Sequence, residues 1–304
     1  MDHSPSSAAY VITGPTSGIG HATALGLAAR GIVILVGRNP TKLAAVKTTI
    51  ERSGGRAVSV VCDMADLGSV ERAASDIAAL PYDIRGVLNN AGIMPLAAQR
   101  SAAGWDLTFA TNFLGPFVLA ERLAPFLPDH ANVVFVTSAI EDPERRPAKV
   151  MGMRGGRFIS VEASARGEWK AGGTRMPGID AYATSNQCIL AAALGLAREN
   201  TRLRFNAVEP GITPNTGLGG VQNPAVSFLF GQIITRLPPF GQFRSTPEKS
   251  AKVLVHILTD PSAGTGVYFD EKGRPMRGSE LAQDPAFQDR ILFETRAFLG
   301  KQTP

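Results

Sequence analysis

Thr13-Gly14-Pro15-Thr16-Ser17-Gly18-Ile19-Gly20 closes an apolar run, Tyr10–Thr13, and leads directly into His21-Ala22-Thr23-Ala24-Leu25, which has a helical pattern. Strand, glycine-rich turn and helix in that order make the head of a dinucleotide-binding unit. Glycines let the backbone turn sharply and approach a pyrophosphate, and the free N–H groups and positive dipole end of the helix N-terminus favour an anion. A glycine triplet by itself is weak evidence; its place at the start of an alternating strand and helix pattern gives it weight. Further short β-branched or apolar runs follow at Ile32–Val36, Ala57–Val61, Gly86–Asn89, Val133–Thr137, Arg204–Val208 and Val267–Phe269. With helical segments between them, seven strands predict an α/β, doubly wound (Rossmann) parallel sheet with helices on both faces. One helix has a clear start, with Asn39 as cap, Pro40 at the first helical position and Leu43, Val46 and Ile50 at helical spacing; Thr246-Pro247 repeats the signal.

The chain has 304 residues, 44% apolar and 19% charged, the composition of a globular protein. No repeat or low-complexity linker divides it, and strands continue close to the C-terminus, so a single domain over residues 1–304 is expected. Its net charge of +5 comes from 31 Lys and Arg against 26 Asp and Glu, scattered rather than clustered, which argues against a nucleic-acid partner. Cys62 and Cys188 form no Cys-x-x-Cys pair and the four histidines are dispersed, so neither a disulfide framework nor a metal site is expected. Met1 to Ala9 lacks the pattern of a secretory signal, and the longest apolar stretches, Ile32–Val36 and Cys188–Ala197, are too short to span a bilayer, so a cytoplasmic protein without a membrane span is expected. Two stretches break the alternation. Residues 141–180 are rich in Arg, Gly and Pro, and residues 217–244 carry Phe228, Phe230, Phe240 and Phe243. Long loops in a compact domain are commonly functional covers, so they are read as an insertion on the substrate side and a lid-like segment.

The spacing Gly-x-x-x-Gly-x-Gly at Gly14, Gly18 and Gly20 resembles that of the short-chain dehydrogenase/reductase family, and further motifs appear in that family's order. Asn89-Asn90-Ala91-Gly92 follows the fourth strand and Asn112-Phe113-Leu114-Gly115-Pro116-Phe117 lies on the next helix. Val136-Thr137-Ser138 ends the fifth strand, Tyr182 begins a later helix and Pro210-Gly211 follows the sixth strand. The long stretch before Tyr182 and the Gly266-Val267-Tyr268-Phe269 strand look most like the family's retinol-dehydrogenase-like branch, which favours bulky apolar substrates. The resemblance implies cofactor contacts from Gly14, Thr16, Ser17, Gly18, Ile19 and Gly20, from Asn90, Ala91 and Gly92, and from Pro210, Gly211 and Ile212, with Asp63 and Met64 flanking an adenine. It also implies catalysis by Tyr182 as proton donor, Ser138 as holder of the reacting oxygen and Asn112 as the asparagine that holds a water in the proton relay.

An acid at the end of the second strand binds a ribose 2′-hydroxyl, whereas an arginine accommodates a 2′-phosphate. Here the residues are Gly37-Arg38-Asn39, and a planar guanidinium matches a phosphate, so NADP (NADPH) is the expected cofactor. An isolated surface arginine would also look like this, but would not account for the missing acid.

The family pattern fails at one position: Tyr182-Ala183-Thr184-Ser185-Asn186 has asparagine where Tyr-x-x-x-Lys requires lysine. One helical turn from the tyrosine, that lysine binds the nicotinamide ribose and stabilises tyrosinate by its charge. Removing a cation about 4 Å from a phenolate at an effective dielectric near 20 forfeits at most about 4 kcal/mol, roughly three pK units. Lys149 and Lys170, with Arg145, Arg146, Arg154, Arg157, Arg166 and Arg175, precede Tyr182 and could restore a cation. Two catalytic readings follow: an NADP-dependent oxidoreductase acting on a carbonyl or alcohol of a bulky apolar small molecule, or a non-redox cyclase or isomerase using Tyr182 as an acid. A dinucleotide-binding protein without chemistry is the third. A homo-oligomer is compatible with all three.

Overall fold

A computed structural model describes residues 8–213 and 240–301. Its first half alternates β1 (Ala8–Thr13), α1 (Gly18–Leu27), β2 (Ile32–Gly37), α2 (Pro40–Arg52), β3 (Arg56–Val61), α3 (Leu67–Ala78) and β4 (Asp83–Asn89). Then come α4 (Leu107–Phe109), α5 (Gly115–Leu123), β5 (Asn132–Val136), α6 (Arg146–Val150), α7 (Val161–Ala165), α8 (Pro177–Glu199) and β6 (Arg204–Val208). The chain ends with α9 (Pro247–Thr259), β7 (Tyr268–Phe269), β8 (Pro275–Met276), α10 (Glu280–Gln283) and α11 (Pro285–Gly300). The sheet order is β3-β2-β1-β4-β5-β6-β7-β8, parallel from β3 through β7.

β1 and β2 are almost wholly buried, and this explains why their sequences read as unbroken apolar runs. One sheet face packs on α3, α5, α8 and α11 around Phe109, Phe113, Phe117 and Phe205, and the other on α1, α2 and α9 around Leu27, Leu43 and Leu254. The expected caps form: Asn39 Oδ1 accepts the Lys42 amide at 3.0 Å, and Thr246 caps α9. The seven expected strands are present, and β8 adds an eighth, antiparallel to β7. It is two residues long and starts at a proline, so no periodicity could announce it; Asp270, which accepts the amides of Lys272 and Arg274, turns the chain into it.

Because the strand order reverses between β1 and β4, a crevice opens at their C-terminal ends, the position where this class of sheet binds ligands. The stretch 141–180 lies on the α8 side of the sheet and is tied to that helix. The Arg157 amide donates to Thr184 Oγ1 at 2.8 Å, and both Asp180 oxygens accept the Thr174 amide. Farther along, the Val161 amide donates to Glu294 on α11, and Phe158 packs edge-on against Phe287. Residues 217–239 of the lid-like segment, with Phe228 and Phe230, lie outside the described residues; Phe240–Phe243 form a single 3-10 turn.

Glu141 anchors the start of this stretch. It is fully buried and accepts hydrogen bonds from the Ser279 amide and hydroxyl, and burial pushes its carboxyl up to about 7. A carboxyl whose folded pKa exceeds its unfolded value contributes stability below the unfolded value, and that contribution is lost as pH rises through about 7. Thermal melts should therefore show a lower Tm at pH 8 than at pH 5.5. Glu141→Gln, which keeps the shape and removes the charge, should raise Tm at pH 8 and flatten this dependence; an unchanged slope would exclude Glu141 as its source.

Candidate functional site

The turn after β1 has the backbone an anion cradle needs. Gly14 and Gly18 have φ of 67° and 52°, in the left-handed region. Gly20 has no room for a side chain, since a Cβ there would lie 2.2 Å from the Gly14 carbonyl oxygen and 2.5 Å from Asn90 Nδ2. Ser17 caps α1 without a side-chain bond, and no acid occupies the helix's first turn, so its N–H groups and dipole face the crevice without internal competition. Thr16 and Ile19 flank these glycines within the turn and the first turn of α1.

Thr13 fastens this turn to the neighbouring strand. Its hydroxyl accepts the amides of Asn90 and Ala91, both at 2.9 Å, while Asn90 Nδ2 donates to the Thr13 carbonyl at 3.0 Å. Beyond Gly92, the Ile93 amide donates to Asn112 Oδ1 and Asn112 Nδ2 donates back to the Ile93 carbonyl, each at 2.9 Å. Asn112 lies in a π-helical turn, Ala110–Leu114, joining α4 to α5. The cause is two residues on from that turn: Pro116 has no N–H to give the Asn112 carbonyl four residues back, and the Gly115 amide bonds Ala110, five residues back. Gly115 is itself required, because a Cβ there would sit 2.2 Å from the Met64 carbonyl oxygen.

Arg38 is exposed just past β2, with no ion-pair partner among the described residues, and Asn39 beside it is committed to capping α2. Asp63 Oδ1 accepts the Ala65 amide, and Met64 is buried beneath the turn that follows β3. Past β6, Gly211 has φ of 79°, and a Cβ there would meet the Phe243 carbonyl oxygen at 2.7 Å. Ser250 Oγ holds the Pro210 carbonyl at 2.8 Å, and the Ile212 amide donates to Phe243.

Tyr182 and Ser138 meet at this end of the sheet, the first on α8 and the second just past β5. Tyr182 is buried, and burial raises its phenol above the ordinary value; hydrogen bonding from Ser138 and Asn186 opposes this, and the field of Glu209 adds to it. Asn186 is 4% exposed and its amide also donates to the Tyr182 carbonyl at 2.8 Å, one turn back on the same helix. Ser185 Oγ donates to the same carbonyl and meets Asn112 Nδ2 at 3.5 Å, linking the π turn to α8.

Among the described residues no cation registers beside the phenol; the charge that does is the Glu209 carboxylate. Lys149 pairs with Glu144 and Arg166 with Glu162 at the surface. Arg145 turns inward, its Nη2 3.3 Å from Glu209 Oε2 and its guanidinium over the Phe243 ring. Sequence reading passed over Thr13 and Glu209. The signal for Glu209 was available, an acid wedged between the buried strand Arg204–Val208 and Pro210; Thr13 reads as one more strand residue.

Residues 8–146 match the short chain dehydrogenase family. Human (Homo sapiens) polyprenol dehydrogenase is 33% identical over 138 residues, 42% of this chain and 42% of that protein, so the match spans less than half of the relative's length. Chloroplastic protochlorophyllide reductase B of Hordeum vulgare is 28% identical over 280 residues, 85% of this chain and 69% of that protein. A crystal structure of a short chain dehydrogenase from Burkholderia cenocepacia J2315 in complex with NADP superposes with a TM-score of 0.63 at 23% identity, covering 88% of this chain and 98% of that one. The chain has the fold of the short-chain dehydrogenase/reductases and carries that family's sequence over residues 8–146.

Proposed function

We propose that the chain works as one catalytic unit, an NADP-dependent oxidoreductase that exchanges a hydride between nicotinamide and a carbonyl or alcohol of a bulky apolar small molecule. The observation that carries this reading is the convergence of Tyr182 and Ser138 at the same end of the sheet as a glycine turn with no space for a Cβ at Gly20. Gly14, Thr16, Ser17, Gly18, Ile19 and Gly20 hold the pyrophosphate, Arg38 the 2′-phosphate, and Asp63 and Met64 the adenine. Asn90, Ala91 and Gly92, with Pro210, Gly211 and Ile212, line the nicotinamide half. NADPH, when bound, supplies the hydride. Ser138 holds the substrate oxygen, and Tyr182 gives that oxygen its proton on reduction and takes it back on oxidation. Asn112 serves Tyr182 indirectly, by fixing the chain after β4 against α8.

Three findings support the cofactor and substrate class. The Burkholderia cenocepacia neighbour is in complex with NADP, two relatives act by name on a polyprenol and on protochlorophyllide, and the 3-10 turn Phe240–Phe243 brings the Phe243 backbone against Gly211. A second reading, in which Tyr182 acts only as an acid in a cyclisation or isomerisation, is favoured by one observation: the charge acting on the phenol is an anion rather than the lysine that tyrosinate chemistry uses.

Arg38→Ala should weaken NADPH binding about tenfold, the value of one charge-assisted contact, and leave NADH binding unchanged. Fluorescence titration reads both, and equal affinities for the two nucleotides in the unmodified protein would remove Arg38 from this role. Gly20→Ala should abolish binding of either nucleotide, since its methyl meets backbone on one side and Asn90 on the other.

Asn186→Lys should raise carbonyl reduction at neutral pH, and alcohol oxidation more, by up to about a thousandfold, because the ammonium lowers the Tyr182 pKa and anchors the ribose. Tyr182→Phe should abolish both reactions. If Asn186→Lys leaves redox rates unchanged while removing another Tyr182-dependent conversion, the second reading replaces the first; if Tyr182→Phe leaves every activity intact, neither catalytic reading stands.

A further inference from the structure

Ser138 is held on its upstream side by the sheet itself, since the Thr137 amide donates to the Val208 carbonyl at 2.9 Å. Downstream the chain leaves the sheet, and a separate device holds it. Ser138 opens a 3-10 turn, Ala139–Glu141, in which the Glu141 amide donates to the Ser138 carbonyl at 3.3 Å and the Asp142 amide to that of Ala139. A single turn of this kind has poor hydrogen-bond geometry and little stability of its own. The Glu141 side chain ties it down by reaching a residue 138 positions along the chain: the Ser279 amide donates to Oε1 at 2.8 Å, and the Ser279 hydroxyl donates to Oε2. Both residues are buried, and Gly278 leaves no slack, because a Cβ there would lie 2.8 Å from Glu141 Oε1 and against Leu190 of α8.

The same hydroxyl faces the helix that carries Tyr182. Gln187, also on α8, donates from Nε2 to Ser279 Oγ at 3.4 Å, and its side chain fills the space beside Gly156, whose amide donates to the Glu141 carbonyl at 3.1 Å. Ser279 Oγ also caps α10 by accepting the Ala282 amide at 3.3 Å. A hydroxyl has one proton to give and two lone pairs, and Glu141, Gln187 and Ala282 use all three. Capping α10 requires only the last of these bonds. The other two join the turn that follows Ser138 to the helix of Tyr182.

We propose that Ser279 is a positioning residue, and that the Glu141–Ser279 clamp sets the spacing between Ser138 and Tyr182 from a C-terminal segment outside residues 8–146, which carry the family's sequence. This rests on the reading of Ser138 and Tyr182 as the pair that holds and protonates the substrate oxygen. Ser279 acts on that pair through Glu141 and Gln187. Removing its hydroxyl leaves a buried carboxylate oxygen and a buried amide without their partner, and frees the turn to move relative to α8.

The test combines amide hydrogen exchange of the full chain, read by mass spectrometry, with NADPH-dependent reduction of a bulky apolar probe, phenanthrenequinone. Ser279→Ala should speed exchange at the Glu141 and Asp142 amides and lower kcat about tenfold or more, because a misplacement of about 1 Å at a reacting group costs up to about a hundredfold. KM for NADPH should stay unchanged, since the glycine turn after β1 is untouched. Ser279→Thr, which keeps the hydroxyl, should restore both readouts. Ser279→Gly keeps most of the capping and none of the clamp, so it should behave like Ser279→Ala. The double variant Glu141→Leu/Ser279→Ala leaves neither clamp partner unpaired, and with circular dichroism to confirm folding it should lose kcat to the same extent as Ser279→Ala. Full kcat in Ser279→Gly, or exchange at Glu141 and Asp142 that is identical in the unmodified protein and the folded variants, would overturn the proposal. So would a loosened turn with kcat unchanged. A loosened turn in a protein that shows no redox turnover at all would instead overturn the oxidoreductase reading and leave the clamp on Ser138 standing.

Discussion

Two backbone amides from β4's end converge on one hydroxyl, Thr13 Oγ1, and the geometry of the crevice depends on it. A parallel sheet whose order reverses between β1 and β4 leaves the ends of these strands diverging, with amides that have no ladder partner. Thr13 satisfies two of them, and Asn90 returns a bond from its side chain to the Thr13 carbonyl. The glycine turn is thereby fixed against the chain after β4, and Gly20 approaches so closely that a methyl group would not fit. From Gly92 the constraint passes through Ile93 to Asn112 and across Ser185 to the helix that carries Tyr182. The glycine turn and the candidate catalytic tyrosine are thus parts of one hydrogen-bonded frame.

Features written in local sequence were legible before any coordinates. Alternating apolar runs, the glycine spacing, and the Asn39-Pro40 and Thr246-Pro247 starts each draw on a few adjacent residues, and each appears in the fold. What escaped reading joins residues far apart in the chain or depends on tertiary burial. Thr13 bonds residues 77 and 78 positions away, and Glu141 meets Ser279 138 positions away. No periodicity encodes either. The π turn is an intermediate case. Pro116 sits four residues after Asn112 in plain view, but a proline inside a helix reads as a break until packing shows that the helix continues through it.

Asn186 bears on the electrostatics of the site rather than on its architecture. Its side-chain amide donates to the Tyr182 carbonyl one turn back, so the buried position stays filled and satisfied. An amide supplies no positive charge, and a hydrogen bond from a neutral donor does not have a charge's long-range effect in a buried site. Nor does the basic stretch before Tyr182 restore it, because the arginine it turns inward, Arg145, is neutralised by Glu209.

That neutralisation has a structural reason as well as an electrostatic one. Arg145 links three segments: the start of the stretch 141–180, the end of β6, and the turn at Phe243 that closes over Gly211. A lysine at position 186 would add a second cation to a region that holds Glu141, Glu209 and Glu271 buried, two of them with carboxyls pushed up to about 7. Burial raises both carboxyls by penalising their charged forms, and Arg145 opposes that at each of them, pairing directly with Glu209. The inward arginine is therefore committed to the buried acids, and position 186 brings a neutral amide rather than a second cation.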